Sequence, residues 1–447
     1  MRSFVDRPKY TCALGGAIAT LNALPRVVPI LHSGPGCGLN LSFAINGGAG
    51  YFGSGYCGGL ALPSTNLCEK DIVFGGEDKL RSEIKNTLDI IDADLYVVVS
   101  GCTVEMIGDS IHAVTSDFQD EAIPIIAAET AGFKGNSYVG YDIIMETLFR
   151  KYVIKSNQKD ERTVNVFGVL PIQDAYYKGN LRNIKNLLHK LGLKVNTFFG
   201  EDESLDNLKY SSNASLNIVF SDVYGILPAQ AFLERFGTPY ITLPLPIGSG
   251  ASDLLIDEVT AALNLDKALA ETIKLSEKEK YFGYLVRLAD LYNDFDMQRY
   301  AVVIGDANYA LPLTRYLADD LGWLPEVTIL IDLLDDQEQK DLITSRASLI
   351  KNKGNLEIIF EQNLSENMKH IRRHWYPDNK PKYYNKMTPA AIIGSTFELD
   401  LATDLNIPLI PVTYPITNKV ILSRGYTGYE GGLTLAEDIF SALVSTR

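Results

Sequence analysis

No apolar run in the 447 residues is long enough to cross a membrane, and the opening stretch MRSFVDRPKY has none of the apolar core of a secretory signal. Basic residues are scarce and dispersed. Lys and Arg number 41 against 55 Asp and Glu, a formal net charge of -14, and no Lys/Arg cluster marks a phosphate-binding face. These absences argue against a membrane protein and a nucleic-acid partner, and the expectation is a cytoplasmic chain. Low-complexity tracts are also missing, and 46% hydrophobic with 21% charged residues is the composition of a packed, globular chain.

Common catalytic signatures are missing too. GSGASD at 248–253 and GDANYA at 305–310 read as Gly-bearing loops after strands, but neither matches a P-loop or a GxGxxG fingerprint. His370 and His374 have helical i, i+4 spacing in MKHIRRHWYP without the acid of a zinc HExxH motif, so they read as a solvated basic face. His189 reads as the surface of an amphipathic helix. No Ser/His/Asp nucleophile arrangement is evident.

Cysteine is absent after position 102. All five, Cys12, Cys37, Cys57, Cys68 and Cys102, fall in the first quarter of the chain. An odd count in a cytoplasmic protein argues against a disulfide framework. Thiols clustered beside glycines fit iron–sulfur or metal ligation, and the plainer alternative is a set of small buried core residues.

What is present is a regular alternation of strand and helix signals. VVPIL (27–31), DLYVVVS (94–100), IPIIAAE (123–129), VNVFGVL (164–170), LNIVFSD (216–222) and YAVVIGD (300–306) are short continuous apolar runs, as expected for buried parallel strands. VTILIDLL (327–334), LEIIFE (356–361), AAIIGS (390–395) and IPLIPVTYP (407–415) continue the series, with amphipathic helices such as 180–192 and 311–323 between them. The pattern predicts an α/β chain of three doubly wound, Rossmann-like domains with parallel sheets. Their expected limits are 1–158, 159–298 and 299–447, with breaks at the polar stretch KSNQKDER and near Gln298.

Three cysteines occupy distinctive settings. Cys12 stands at the start of a helical segment, TCALGGAIATL. Cys37 lies in HSGPGCG, expected to be a tight glycine-rich turn that lets backbone approach a bulky ligand and offers N–H groups to anionic sulfides. Cys102 follows a buried strand in VVVSGCTVEMIGDS, at the strand end where α/β folds place ligands and at the start of a helix, which favours a thiolate. Glu105, Asp109 and Ser110 read as support for that helix. Cys57, in GSGYCGG, and Cys68, in STNLCEKD, read as non-ligands.

TCALGGAIATL, HSGPGCG, DIVFGGEDKL and SGCTVEMIGDS, in this order and with the 25-residue step from Cys12 to Cys37, resemble the nitrogenase component 1 (MoFe-protein-like) family. GFKGNSYVGYD, IPLIPVTYPI and GYTGYEGG extend the similarity along nearly the whole chain. The resemblance implies an iron–sulfur cluster at a subunit interface, with Cys12, Cys37 and Cys102 as this chain's ligands. The cluster would be an [8Fe-7S] P-cluster or a simpler [4Fe-4S] centre, shared with a partner. The implied partners are an α-type component 1 subunit, in an α2β2 assembly, and an ATP-dependent Fe-protein-type reductase.

Departures from the family pattern refine this expectation. The late cysteine and C-terminal histidine that hold the substrate-reducing cofactor in α-type chains have no counterpart here, so the chain looks β-like, an electron-relay subunit with no catalytic residue of its own. A cofactor-assembly scaffold is the alternative, and an α/β ligand-binding protein with structural cysteines a third reading. The serine that can bind the oxidised cluster in β-type chains of molybdenum nitrogenase matches Asn136, with Ser137 one residue on. DIVFGGEDKL is closer to α-type chains.

Overall fold

Among the described residues twelve strands form three sheets, and every ladder in them is parallel. The computed structural model describes residues 5–51, 62–200, 202–294, 299–332, 334, 336–375 and 389–445. The first sheet has β1 (Val27–His32), β2 (Leu95–Ser100) and β3 (Ile125–Ala128) in the order β1-β2-β3. The second has β4 (Asp160–Phe167), β5 (Lys194–Asn196), β6 (Ala214–Val219) and β7 (Tyr240–Thr242), ordered β5-β4-β6-β7. The third has β8 (Tyr300–Gly305), β9 (Leu324–Leu330), β10 (Glu357–Phe360), β11 (Ala391–Gly394) and β12 (Leu409–Pro411), ordered β10-β9-β8-β11-β12. The α/β class with parallel sheets is therefore as the apolar runs predict.

The central strands show why those runs are continuous. Every residue of β1 and of β2 is buried, because helices cover both faces and leave no polar side to alternate with. The three-residue strand β7 carries no such run and is only half-buried. Two glycine-bearing stretches differ from expectation. Gly34–Pro35 starts the helix Pro35–Gly48 in place of a turn, since a proline in the first helical turn has its φ already set and no missing hydrogen bond. GSGASD likewise opens the helix Gly248–Ala262. Among the described residues no helix is long and apolar enough to span a membrane.

Two helices of the first unit touch backbone to backbone. In Ala13–Ala23, nine successive residues from Ala13 to Leu21 are buried. A Cβ on Gly16 would stand 1.9 Å from the Ser137 carbonyl oxygen, and one on Gly140 would stand 2.0 Å from that of Ala13. Glycine is therefore required on both sides of the contact with helix Ser137–Lys151. The helices begin side by side, joined by a bridge between Cys12 and Asn136 and by Ala13 N–H donating to Gly135 O at 2.9 Å.

The C-terminal ends of the second and third sheets meet in a buried polar junction. Asn308 donates to Gly168 O (2.7 Å), the Tyr309 hydroxyl to Asp174 Oδ1 (2.8 Å), and the Tyr138 hydroxyl to Asp306 Oδ2 (2.8 Å). Tyr224 bonds Asp332, and its ring stacks on Tyr138 with centroids 4.1 Å apart. Asp142 extends this pattern to the helix Ile226–Phe236 by accepting the Gly225 N–H at 2.7 Å.

Burial pushes the Asp142 carboxyl up to about 7 from its ordinary 3.8, despite the Gly225 N–H that pulls it back. The folded chain thus holds a proton that the unfolded chain releases near pH 4. The associated stability is present below that pH and lost as pH rises toward 7. Asp142→Asn keeps an acceptor for Gly225 without a titrating charge. Its stability relative to the parent should therefore rise between pH 4 and 8 by up to about 4 kcal/mol in denaturant titrations. A difference independent of pH would contradict the assignment.

Candidate functional site

Each of the three distinctive cysteines stands at a helix N-terminus. Cys12 is the extended residue capping Ala13–Ala23, Cys37 is the third residue of Pro35–Gly48, and Cys102 is the first of Cys102–Ile107, directly after β2. Unpaired N–H groups and the positive end of the backbone dipole favour a thiolate at such positions. All three are half-buried. The parallel pairing of β1 with β2, His32 opposite Ser100, brings the segments carrying Cys37 and Cys102 to the same sheet end.

Gly132 is the point where two of the thiols meet. A Cβ there would lie 3.1 Å from the sulfurs of both Cys12 and Cys102, and the Gly132 N–H donates to Cys102 Sγ at 3.1 Å. Burial pushes the Cys12 thiol up; the Gly15 and Leu14 N–H groups pull it down, and the charges of Cys102 and Cys37 push it up further. Cys12 and Cys102 therefore meet beside Gly132, and Cys37 is near enough to Cys12 for its charge to be felt there. Among the described residues, no three His, Cys, Asp or Glu side chains close on a single metal-ion position.

The other cysteines lie apart. Cys68 is exposed and caps the short helix Glu69–Phe74, in a reciprocal box with Asp71. Cys57 lies outside the described residues. His32, at the end of β1, has both ring nitrogens engaged, Nε2 at 3.2 Å from Asp109 and Nδ1 at 3.1 Å from the Thr65 hydroxyl. Burial lowers its pKa even against the pull of Asp109. Asp109 also accepts the Gly76 N–H at 2.9 Å, so it ties GGED to the Cys102 segment.

Glu105 has a larger part than helix support. Its carboxylate accepts the Ser100 hydroxyl at 2.6 Å and the Ala131 N–H at 2.9 Å, and it pairs with Lys134 at 2.9 Å. Burial pushes this carboxyl up, but those three partners outweigh it and hold it below the ordinary value. The loop that presents Gly132 is thus clamped to the strand and helix that present Cys102. Sequence reasoning missed Gly132 and Lys134; the signal was the GFKG stretch, whose spaced glycines mark backbone passing close to something. Asn136 caps the helix Ser137–Lys151, while Ser137 turns its hydroxyl to Gln173 at 2.7 Å.

Exposed apolar side chains stand on the helices that carry Cys37 and Cys102, next to Gly132, and on the helix Glu69–Phe74. Phe74 is 80% exposed and Met106 is 77% exposed, with Leu39, Phe43, Val73 and Phe133 also exposed. Such a concentration of exposed apolar side chains marks an interaction face.

A family model described as nitrogenase component 1 type oxidoreductase matches residues 12–444. The chain belongs to this family. It is accordingly an oxidoreductase subunit by family. The chain is 21% identical over 465 residues to the nitrogenase iron-iron protein beta chain of Rhodobacter capsulatus, covering 98% of this chain and 93% of that one. It is 26% identical over 354 residues to the nitrogenase iron-molybdenum cofactor biosynthesis protein NifE of Clostridium pasteurianum, covering 77% and 73%. Among solved structures, nitrogenase Cp1 at pH 6.5 superposes with a TM-score of 0.79 at 18% identity, over 100% of this chain and 94% of that chain, a likeness of fold.

Component 1 proteins bind iron–sulfur clusters. The donor set fits such a group: three soft thiol donors at helix N-termini, an amide N–H aimed at one sulfur, and a glycine where any side chain would collide with two of them.

Replacing Glu105 by Ala removes the acceptor for Ser100 and Ala131 and frees Lys134. The change should cost about 2–3 kcal/mol in chemical denaturation, with Glu105→Gln milder because one acceptor oxygen survives. Equal stability of Glu105→Ala and the parent would rule out the clamp.

Proposed function

We propose that this chain is the β-type, electron-relay subunit of a nitrogenase-family reductase complex. The observation that carries the reading is the convergence of Cys12 and Cys102 on Gly132, with Cys37 close by, on an open apolar face. In this reading the three cysteines bind, as thiolates, a P-cluster-type group completed by an α-type partner. When bound, that group accepts and passes on single electrons at low potential. The helix N-termini stabilise the thiolates, the Gly132 N–H tunes one sulfur, and Glu105 holds Gly132 in place. Leu39, Phe43, Met106 and Phe133 give the partner an apolar wall that excludes water from the thiols. Val73 and Phe74 extend that surface toward an Fe-protein-type reductase.

The substrate-reducing cofactor is assigned to the partner. In this chain the junction of the second and third sheets is filled by Tyr138, Tyr224, Tyr309, Asp306 and Asp332, bonded to one another and to backbone. Of the later imidazoles, His189 is exposed and His374 is engaged by Glu326 at 2.7 Å. A cofactor-assembly scaffold is the second reading, supported by the similarity to NifE, and the same thiols would serve it.

Anaerobically purified complex should contain iron and acid-labile sulfide. Ala at Cys12, Cys37 or Cys102 should remove or remodel the cluster spectrum, while Ala at Cys57 or Cys68 should leave most iron in place. Equal iron loss across all five variants would defeat the assignment. Substrate-dependent turnover of the loaded complex would favour the reductase, and transfer of a cluster to an acceptor protein would favour the scaffold.

Expressed without a partner, the chain should be cluster-poor, since three thiolates leave a large cluster under-coordinated. Co-expression with an α-type subunit should give a closed, two-fold assembly of α2β2 mass in sedimentation. An iron-replete, stable monomer would contradict the shared site.

A further inference from the structure

The segment Asp6–Thr11 leads directly into Cys12 and is held by residues from both the second and third sheets. Lys9 is 1% exposed and forms an ion pair with Glu398, which is fully buried. Glu398 belongs to the turn after β11, and its second oxygen accepts the Ser395 N–H and hydroxyl, both at 2.8 Å. On the opposite side, the Lys9 carbonyl accepts Gln173 Nε2 at 3.2 Å, and Gln173 bonds Ser137, the neighbour of Asn136, which bridges to Cys12. Tyr10 reaches Gln362 at 3.2 Å, and Asp6 N–H reaches Asn363 at 3.2 Å. Cys37 and Cys102, by contrast, stand on helices that follow strands β1 and β2 of the first sheet.

A buried ammonium without its carboxylate is strongly unfavourable, so the segment has one preferred seat, with Lys9 on Glu398. We propose that Lys9–Glu398 is a positioning pair that sets the Cys12 thiol opposite Cys102. The ligand set is then complete only when the turn carrying Glu398 is docked on the segment that leads into Cys12, and that docking prepares the chain for cluster insertion. The role in insertion rests on the reading of Cys12 as a ligand.

The test uses the full chain stripped of iron by a chelator, with native-state iodoacetamide labelling followed cysteine by cysteine by mass spectrometry. In Lys9→Met, Cys12 should label at least about fivefold faster while Cys37 and Cys102 change less than about twofold, the signature of local opening. Glu398→Gln should give the same contrast if Lys9→Met fails to fold. Val302→Ala, in the core of the third sheet, is the control for general destabilisation and should raise the three thiols together. An unchanged Cys12 rate, or a parallel rise of all three thiols in the Lys9 and Glu398 variants, would overturn the positioning pair. Labelling of iron-loaded parent complex separates the two ideas: if Cys12 is unprotected there, the ligand reading fails whatever the variants do.

Discussion

The close passage of helix Ala13–Ala23 over helix Ser137–Lys151 governs the geometry of the site. Gly16 and Gly140 let the two backbones come within contact distance, and that approach places Cys12 alongside Asn136. Gly132 is then carried into the space between the thiols of Cys12 and Cys102. Glu105 fixes the same loop from the side of the first sheet. A bulkier residue at either helix glycine would separate the two segments and carry Cys12 away from its neighbours, although neither glycine touches a sulfur.

One apolar core runs through all three sheets, and polar contacts are added to it where the second and third sheets meet. Carboxylates and tyrosine hydroxyls sit at the strand ends where the second and third sheets face each other, and each is engaged by a named partner. Buried hydrogen-bonded groups of this kind are directional, so they set the relative placement of sheets that apolar packing alone would leave free to slide. Their acidic members are held with raised pKa values by burial, as with Asp142 and with Asp174, which is pushed up to about 7.

Much of the architecture was legible because parallel strands covered on both faces read as unbroken apolar runs; β1, β2 and β8 are the clearest cases. The edge strand β7 was not legible, since three half-buried residues carry no periodic signal. Gly-Pro-Gly around Cys37 read as a turn because local propensity does not reveal that proline opens a helix there. The thiols themselves stood out by their glycine-rich settings and their restriction to the first quarter. Gly132 and Lys9 did not, and Glu105 read only as support for its own helix, because their importance comes from tertiary neighbours 26 to 389 residues away in sequence.

The order of the first sheet has a consequence for how such a chain can be used. The second and third sheets reverse direction beside their earliest strands, and a reversal opens a crevice in which a fold can enclose a ligand by itself. The first sheet does the same, because the segment at 63–67 pairs in parallel with β1 on the side away from β2, and its crevice opens between the ends of β1 and β2, where the helices carrying Cys37 and Cys102 begin. On the proposed reading, a cluster held there and shared with a partner takes part of its dielectric surroundings from another polypeptide. On the same reading, a change of companion would retune the potential of that cluster without any substitution in this chain.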